Sequence, residues 1–125
     1  MKSVETRLEP GYRPALLGTA RPYLSIIIPT WNGGAHLRTA LQHLREFRKG
    51  LNFPTEIVIV DDCSEPSTAR VVQDFADRNE TTIVLRNERN RGKGFAVARG
   101  MLSSTGAFRI FVDSDLAYPS SQITK

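Results

Sequence analysis

The chain has 125 residues, of which 40% are hydrophobic and 24% are charged. This composition is typical of one globular domain with a modest core, and it excludes a disordered chain. No apolar run approaches the roughly 20 residues that a membrane-spanning helix requires. The first residues contain no continuous apolar segment, so no secretory signal is predicted.

The net charge of +4 indicates a mild preference for anionic partners such as phosphates, nucleotides or a lipid surface. Lysines and arginines form no dense stripe with interleaved aromatic residues, so we expect no nucleic-acid partner. The single cysteine, Cys63, excludes an intrachain disulfide framework and fits a reducing compartment. We interpret Cys63 as a packing or turn residue, because neither His36 nor His43 is an obvious partner for a catalytic thiol.

The chain begins with a segment that shows no periodicity. Residues 1–22 carry three of the seven prolines and are predicted to form an N-terminal tail before one domain over residues 23–125. The β-branched run Leu24–Ile28, closed by Pro29, predicts a strand that is buried on both faces. Apolar residues at helical spacing follow this strand and predict a helix that ends at Gly50.

The alternation of strand and helix continues through the rest of the domain. A second strand over Ile57–Val60 precedes a helix with Ser64 as its N-cap and Pro66 in its first turn. The remaining predicted elements are a strand at 81–87, a helix at Phe95–Ser104 stopped by Gly106, and a strand at 108–115. Helices between apolar strands are typical of right-handed crossovers, so the predicted fold is an α/β domain with a parallel sheet.

Polar residues follow the carboxyl end of each predicted strand. The segments are PTWN after the first strand, DDCS after the second, RNERNRGKG after the third and DSD after the fourth. Ligands of open α/β sheets bind in the crevice beyond these ends, so the four segments should converge on one edge. Each segment alone could be structural, with Asp62 capping a helix or Asp113 simply solvated. Their joint occurrence favours a binding site.

The glycine-rich segment after the third strand suits a phosphate group. Gly92, Lys93 and Gly94 precede a predicted helix, and the free N–H groups and positive dipole end of a helix start attract anions. Lys93 adds a positive charge, and three arginines precede it in the same segment. The glycine spacing matches neither a P-loop nor a dinucleotide-binding fingerprint.

Two aspartates at the end of the fourth strand suggest a metal site. Asp113 and Asp115 are separated by one residue, so both can face the same point, where their like charges repel unless a cation lies between them. Mg²⁺ and Mn²⁺ prefer such oxygen ligands and usually bridge to substrate phosphates. We therefore predict a divalent metal that carries a diphosphate.

Together these motifs resemble the first half of a family 2 glycosyltransferase with the GT-A fold. SIIIPTWN resembles the family's opening strand, IVIVDDCS its second-strand aspartate motif, NRGKGFAVARGMLSSTG the loop before its fourth strand, and FVDSD its D-x-D motif. The resemblance covers about residues 23–119 and is greatest to the glucosyl- and mannosyltransferases of polyprenyl and dolichyl phosphate. It implies the Rossmann-like, nucleotide-sugar-binding half of a GT-A domain.

The resemblance also implies roles for individual residues. Those implied to bind the nucleotide sugar are Pro29, Trp31, Val60, Asp62, Lys93 and Asp113, and those implied to bind Mg²⁺ or Mn²⁺ are Asp113 and Asp115. Within this set, Pro29, Trp31 and Asp62 would contact the base and ribose of a UDP- or GDP-sugar. Val60 would contribute its backbone, and Lys93 would lie along the nucleotide pocket.

The sequence departs from the family pattern in two respects. Gly33 stands where the family commonly has an acidic residue, which puts one donor contact in doubt. The chain is also shorter than a complete GT-A domain, so the predicted domain is truncated and holds the donor site. The acceptor site and any catalytic base would lie beyond Lys125. We therefore expect the isolated chain not to turn over.

For a complete enzyme, the resemblance implies metal-assisted inverting transfer of a sugar to an acceptor such as a polyprenyl phosphate. A lipid phosphate is already anionic and needs no general base. This acceptor implies a cytoplasmic location at the inner face of a membrane, with peripheral membrane association.

Two other functions are compatible with parts of the pattern. A non-catalytic module that binds nucleotide sugars would need the same polar strand ends. A sugar nucleotidyltransferase is also an α/β protein with metal-binding aspartates, but PTWNGGAHLR does not match its G-x-G-T-R-like loop. The sugar, the base and the acceptor stay open at this point.

Overall fold

The computed structural model describes residues 22–113. Its elements alternate along the chain in the order β1 (Leu24–Thr30), α1 (Gly34–Lys49), β2 (Thr55–Asp61), α2 (Pro66–Arg78), β3 (Thr82–Arg86), α3 (Lys93–Ser103) and β4 (Phe108–Phe111). The predicted N-terminal tail, except Pro22, and the predicted metal ligand Asp115 lie outside the described residues.

The four strands form one parallel sheet in the order β3-β2-β1-β4. The prediction of an α/β fold with a parallel sheet is therefore confirmed. All four strands point their carboxyl ends to the same edge, because they are parallel to one another. The polar segments that follow the strands thus meet at one edge.

The two central strands are buried on both faces, as their continuous apolar runs predict. One core lies between the sheet and helices α1 and α2 and contains Ile26, Ile28 and Leu41. A second core lies between the sheet and α3 and contains Ile27 and Val58. Successive strand residues alternate between the two cores because side chains alternate across a sheet.

Strand β1 runs one residue past Pro29, which was expected to close it. The carbonyl of Ile27 accepts a hydrogen bond from Val112 N, whereas the carbonyl of Thr30 accepts one from Asp62 N. Backbone groups of alternate strand residues point the same way, so the nitrogen of Pro29, like the carbonyl of Ile27, points towards β4. The last residue of β4 that pairs with β1 is Phe111, opposite Ile27, so Pro29 lies beyond the paired part of β4. The proline therefore removes no ladder hydrogen bond.

The predicted N-cap of α2 is wrong. The helix begins at Pro66, and its N-cap is Glu65, which makes no side-chain capping hydrogen bond. The hydroxyl of Ser64 instead accepts a hydrogen bond of 2.8 Å from the backbone N–H of Asn32. Ser64 is buried and joins the end of β1 to the end of β2, which a local capping rule does not anticipate.

A buried carboxylate lies at the opposite, amino end of the sheet. Glu56 is fully buried, and its Oε2 accepts hydrogen bonds from the Ser25 hydroxyl at 2.6 Å and the Thr105 backbone N–H at 2.7 Å. The Ser25 hydroxyl in turn accepts a bond of 2.8 Å from the Gly106 N–H. These contacts hold the turn between α3 and β4 against the two central strands.

We expect Glu56→Ala to lower the free energy of unfolding by about 3 kcal/mol, because it removes the acceptor of the buried Ser25 hydroxyl and of the partly buried Thr105 N–H. Urea unfolding followed by circular dichroism measures this change. The matched control is Glu88→Ala, which removes an exposed glutamate and should change stability by less than about 0.5 kcal/mol. Equal unfolding midpoints for the two variants would show that the buried carboxylate does not hold this turn.

Candidate donor-binding cleft

A cleft of about 650 Å³ opens at the carboxyl edge of the sheet. It is formed by the end of β1, the start of α1, the end of β2, the loop after β3, the start of α3 and the end of β4. Its lining residues are Pro29, Thr30, Trp31, Asn32, Gly33, His36, Asp62, Asn90, Gly92, Lys93, Ala96 and Asp113. The predicted convergence of the polar strand ends is thus present in the structure.

Five of the residues expected at a nucleotide-sugar site line this cleft, namely Pro29, Trp31, Asp62, Lys93 and Asp113. Val60 does not line it, because its side chain is fully buried in the core beneath α3. Any contact of Val60 with a ligand would have to use its backbone, as the sequence comparison implied. Asp115 lies outside the described residues.

Trp31 forms an aromatic wall of the cleft, and 58% of its surface is exposed. The turn that carries it contains two residues in the left-handed conformation, Asn32 with φ 58° and Gly33 with φ 74°. The Asn32 side chain stabilises this turn, since its Oδ1 accepts a hydrogen bond of 2.9 Å from the Glu65 N–H at the start of α2. An exposed indole held in this way offers a flat surface for a planar ligand.

Asp62 is buried, with 3% of its surface exposed, and its carboxylate is occupied by the loop that follows β3. Its Oδ1 accepts hydrogen bonds of 2.8 Å from the Asn87 side chain and from the Arg91 N–H. Its Oδ2 accepts a bond of 2.8 Å from the Gly92 N–H. Asp62 therefore fixes the glycine-rich loop in addition to lining the cleft.

The neighbouring aspartate faces a different set of partners. Asp61 Oδ2 forms an ion pair of 2.5 Å with Arg86, and Oδ1 accepts a hydrogen bond of 2.9 Å from the Ser64 N–H. Arg86 also donates to the Ser64 carbonyl at 3.1 Å. Asp61 does not line the cleft, so the two aspartates of this motif have distinct surroundings: Asp61 holds the turn after β2, and Asp62 holds the glycine-rich loop.

The start of α3 brings positive charge to the cleft. Its N-cap is Gly92, with φ 94°, and neither a side-chain cap nor an acidic residue occupies the first turn. Lys93 Nζ lies 2.5 Å from Asp113 Oδ1 and 5.7 Å from the centre of the Phe111 ring. The lysine thus joins the start of α3 to the end of β4, and the helix dipole adds to its charge.

Not all cleft residues belong to the polar segments that the sequence predicted to converge. His36, which was assigned to no site, lies in the first turn of α1 and lines the cleft. Asn32 and Asn90 also line it and belong to the predicted segments, although neither was assigned a role. Position alone could have indicated His36, because the first turn of a helix that follows a parallel strand lies at the carboxyl edge of the sheet. No comparable feature indicated that Ala96 would also line the cleft.

The predicted metal site is only half contained in the described residues. Asp113 is a half-exposed carboxylate at the rim of the cleft and offers the oxygen ligands that Mg²⁺ and Mn²⁺ prefer. Between residues 22 and 113, no three His, Cys, Asp or Glu side chains come together as a metal centre would require. The assignment of a metal to Asp113 and Asp115 stays a prediction.

Comparison with known proteins identifies the family. Residues 25–125 match Glycosyl transferase family 2, and this match covers most of the chain. The chain therefore belongs to glycosyl transferase family 2, as the motifs at its strand ends indicated.

Curated relatives include enzymes that act on lipid phosphates. The chain is 36% identical over 113 residues to the dolichyl-phosphate beta-glucosyltransferase of Dictyostelium discoideum, covering 82% of this chain and 35% of that protein. It is 32% identical over 102 residues to the dolichol-phosphate mannosyltransferase of Pyrococcus furiosus, covering 82% of this chain and 28% of that protein. The chain thus spans about a third of the length of these relatives.

Solved structures of glycosyltransferases share the fold. The mannosyltransferase PcManGT from Pyrobaculum calidifontis, in complex with GDP-Man and Mn²⁺, superposes with a TM-score of 0.68 at 23% identity, over 83% of this chain and 31% of that one. S. aureus TarS in complex with UDP-GlcNAc superposes with a TM-score of 0.66 at 30% identity, over 81% of this chain and 29% of that one. The described domain therefore has the GT-A fold that its motifs implied.

Proposed function

We propose that this chain is the donor-binding part of a glycosyltransferase that moves a sugar from a UDP- or GDP-sugar to a polyprenyl phosphate. The observation that carries the proposal is the cleft in which Trp31, the start of α3, Lys93 and Asp113 surround one space at the carboxyl edge of the sheet. Membership of the family and the names of the dolichyl-phosphate relatives support it.

The aromatic side of the cleft suits the nucleoside. The exposed face of Trp31 can stack on a uracil or guanine base, and Pro29 lies next to it on the cleft wall. Asp62 and the backbone of Val60 lie at the end of β2, where the ribose would be placed. Because Asp62 already accepts three hydrogen bonds from the loop, its contribution to the ribose site includes holding that loop in place.

The opposite side of the cleft suits the diphosphate. The positive end of the α3 dipole, with no acidic residue in the first turn, and the ammonium group of Lys93 are a positive site for phosphate oxygens. Asp113, together with Asp115, would hold Mg²⁺ or Mn²⁺ beside these oxygens. When bound, the metal supplies positive charge that stabilises the leaving nucleoside diphosphate. In this proposal the metal would share the Asp113 carboxylate with Lys93, which pairs with it in the structure.

The acceptor in this proposal is an anionic lipid phosphate, whose oxygen attacks the anomeric carbon with inversion and without a general base. Such an acceptor would place the protein at the cytoplasmic face of a membrane. No helix within residues 22–113 is long and apolar enough to cross a membrane.

Titration calorimetry with UDP, GDP, UDP-glucose and GDP-mannose, with and without Mn²⁺, tests the proposal. We expect one base to be preferred and Mn²⁺ to tighten binding by about tenfold, which corresponds to about 1.4 kcal/mol. Absence of binding by any of the four nucleotides to the folded chain would overturn the assignment of the cleft.

Asp113→Ala should remove the part of the affinity that depends on Mn²⁺, because it deletes a metal ligand while leaving Trp31 and Lys93 in place. The same calorimetric titration measures this loss. Asp74→Ala is the control, since Asp74 lies on α2 away from the cleft and forms an exposed ion pair with Arg78. An unchanged dependence on Mn²⁺ in Asp113→Ala would contradict the metal assignment.

A further inference from the structure

Asn87 is a buried polar residue directly after β3, and it does not line the cleft. Only 4% of its surface is exposed. Its side-chain Nδ2 donates to Asp62 Oδ1 at 2.8 Å, and its Oδ1 accepts a hydrogen bond of 2.8 Å from the guanidinium of Arg99. Its backbone N–H donates to the Asp61 carbonyl at 2.8 Å.

These contacts require a side chain that is both a donor and an acceptor. The amide presents its donor to the carboxylate of Asp62 and its acceptor to the cation of Arg99, so the orientation of the amide is fixed by charge on both sides. A carboxylate of the same shape would offer an acceptor to Asp62, and an aliphatic residue would offer neither group. The position is therefore specific for an amide.

The partners of Asn87 lie on two elements that carry cleft residues. Asp62 directly follows β2 and accepts a hydrogen bond from the N–H of Gly92, the N-cap of α3. Arg99 lies two turns further along α3, is partly buried, and also donates to the Arg86 carbonyl at 2.9 Å. Burial lowers the pKa of Arg99 from its usual value. Helix α3 is thus tied to Asp62 through its N-cap residue and to the end of β3 through Arg99, near the middle of the helix.

We propose that Asn87 is a positioning residue for donor binding. It joins Asp62 to Arg99 and thereby sets the position of the glycine-rich loop and of the first turn of α3, which carries Lys93. This inference rests on the proposed function of the cleft. Its structural part, the position of the loop, can be measured without any nucleotide.

Asn87→Asp gives the sharpest test, because the introduced carboxyl group would face the carboxylate of Asp62. The other charged groups that face this point are the guanidinium of Arg99 from α3 and, beyond Asp62, the ion pair of Asp61 with Arg86. Two carboxyl groups in contact share a proton, which raises the pKa of the pair. Below that raised pKa the shared proton restores the hydrogen bond to Asp62, and above it the two groups repel each other.

We expect Asn87→Asp to bind its preferred nucleotide at least about tenfold more weakly than wild type at about pH 8, and to regain most of this affinity at about pH 5.5. Calorimetry at both pH values measures the ratio to wild type. Asn79→Asp is the matched control, because Asn79 is also buried and donates one side-chain hydrogen bond, to the Phe75 carbonyl at the end of α2. Its ratio to wild type should be the same at both pH values.

The position of the loop is read independently from the Gly92 amide signal in nitrogen–proton correlation spectra. In Asn87→Asp this signal should move at about pH 8 and return towards its wild-type position at about pH 5.5. If the wild-type protein binds no nucleotide, the proposed function is refuted. If the Gly92 signal of Asn87→Asp still shifts with pH in that case, Asn87 nevertheless positions the loop. Wild-type affinity and an unmoved Gly92 signal at both pH values would overturn the positioning role, as would a loss of affinity that does not depend on pH.

Arg99→Gln keeps the inference testable if Asn87→Asp does not fold. It removes the cation that orients the Asn87 amide but leaves Asp62 and the loop donors in place. We expect nucleotide affinity to fall by a few fold, with a displaced Gly92 signal. Unchanged affinity and an unchanged signal in folded Arg99→Gln would count against the role of Asn87.

Discussion

Asp62→Ala should weaken nucleotide binding by about a hundredfold or more and destabilise the domain by about 3 kcal/mol. The carboxylate accepts hydrogen bonds from Asn87, Arg91 and Gly92 in the loop after β3, and its removal takes away this common acceptor, leaving Gly92 only its longer bond of 3.1 Å to Asn90 Oδ1. The loop would then no longer place the start of α3 at the cleft. Calorimetry with the preferred nucleotide and Mn²⁺ measures the first effect, and urea unfolding measures the second.

Asp62→Asn distinguishes a loss of affinity caused by a displaced loop from one caused by local unfolding, because it keeps the volume of the side chain. Its amide can still accept a hydrogen bond through one oxygen, but the NH₂ group would face a backbone N–H of the loop. We expect a smaller loss of stability than in Asp62→Ala, with a similar loss of affinity. Wild-type affinity in either folded variant would show that the loop does not depend on Asp62.

Gly100→Val should lower the free energy of unfolding by about 3 kcal/mol, and so reduce the melting temperature by more than about 10 °C. A Cβ atom at Gly100 would lie 2.5 Å from Ile27 Cγ2 and 3.1 Å from Val60 Cγ2, both fully buried. The absence of a side chain lets α3 lie directly on β1 and β2. Displacing the helix would also displace Lys93, so nucleotide affinity should fall in the same variant.

Gly94→Ala is the matched control for this prediction. Gly94 lies in the same helix, and nothing lies within 4 Å of the Cβ that would be added there. Alanine favours a helix over glycine by about 1 kcal/mol, so this variant should keep or raise the melting temperature. Equal melting temperatures for Gly100→Val and wild type would show that α3 does not need this close approach. Thermal unfolding followed by circular dichroism measures both variants.

Much of the fold could be predicted because it depends on local sequence. The centres of β1 and β2 are the apolar runs Ile26–Ile28 and Ile57–Val60, and such runs are typical of strands that are buried on both faces of a parallel sheet. The placement of Trp31, Asp62 and Lys93 at one edge follows from parallel topology once each strand end is known. Predicting the position of these residues required no knowledge of long-range contacts.

The contacts that hold the cleft together could not be predicted in this way. Asn87 meets Asp62 across 25 positions of sequence, and the Gly92 N–H meets it across 30. Ser64 fits the N-cap rule for α2 but instead accepts a hydrogen bond from Asn32 in the turn after β1. A capping rule considers only neighbours along the chain, so it cannot tell a residue that caps a helix from one that joins two strand ends.

The most direct test of the proposed donor site uses Trp31, the single tryptophan of the chain. Because it is exposed on the cleft wall, a base that stacks on it should quench its fluorescence. We predict a saturable quench on titration with UDP or GDP that is strengthened by Mn²⁺ and is absent with an adenine nucleotide. No saturable change with either nucleotide, in a chain whose circular dichroism shows the folded domain, would contradict the account.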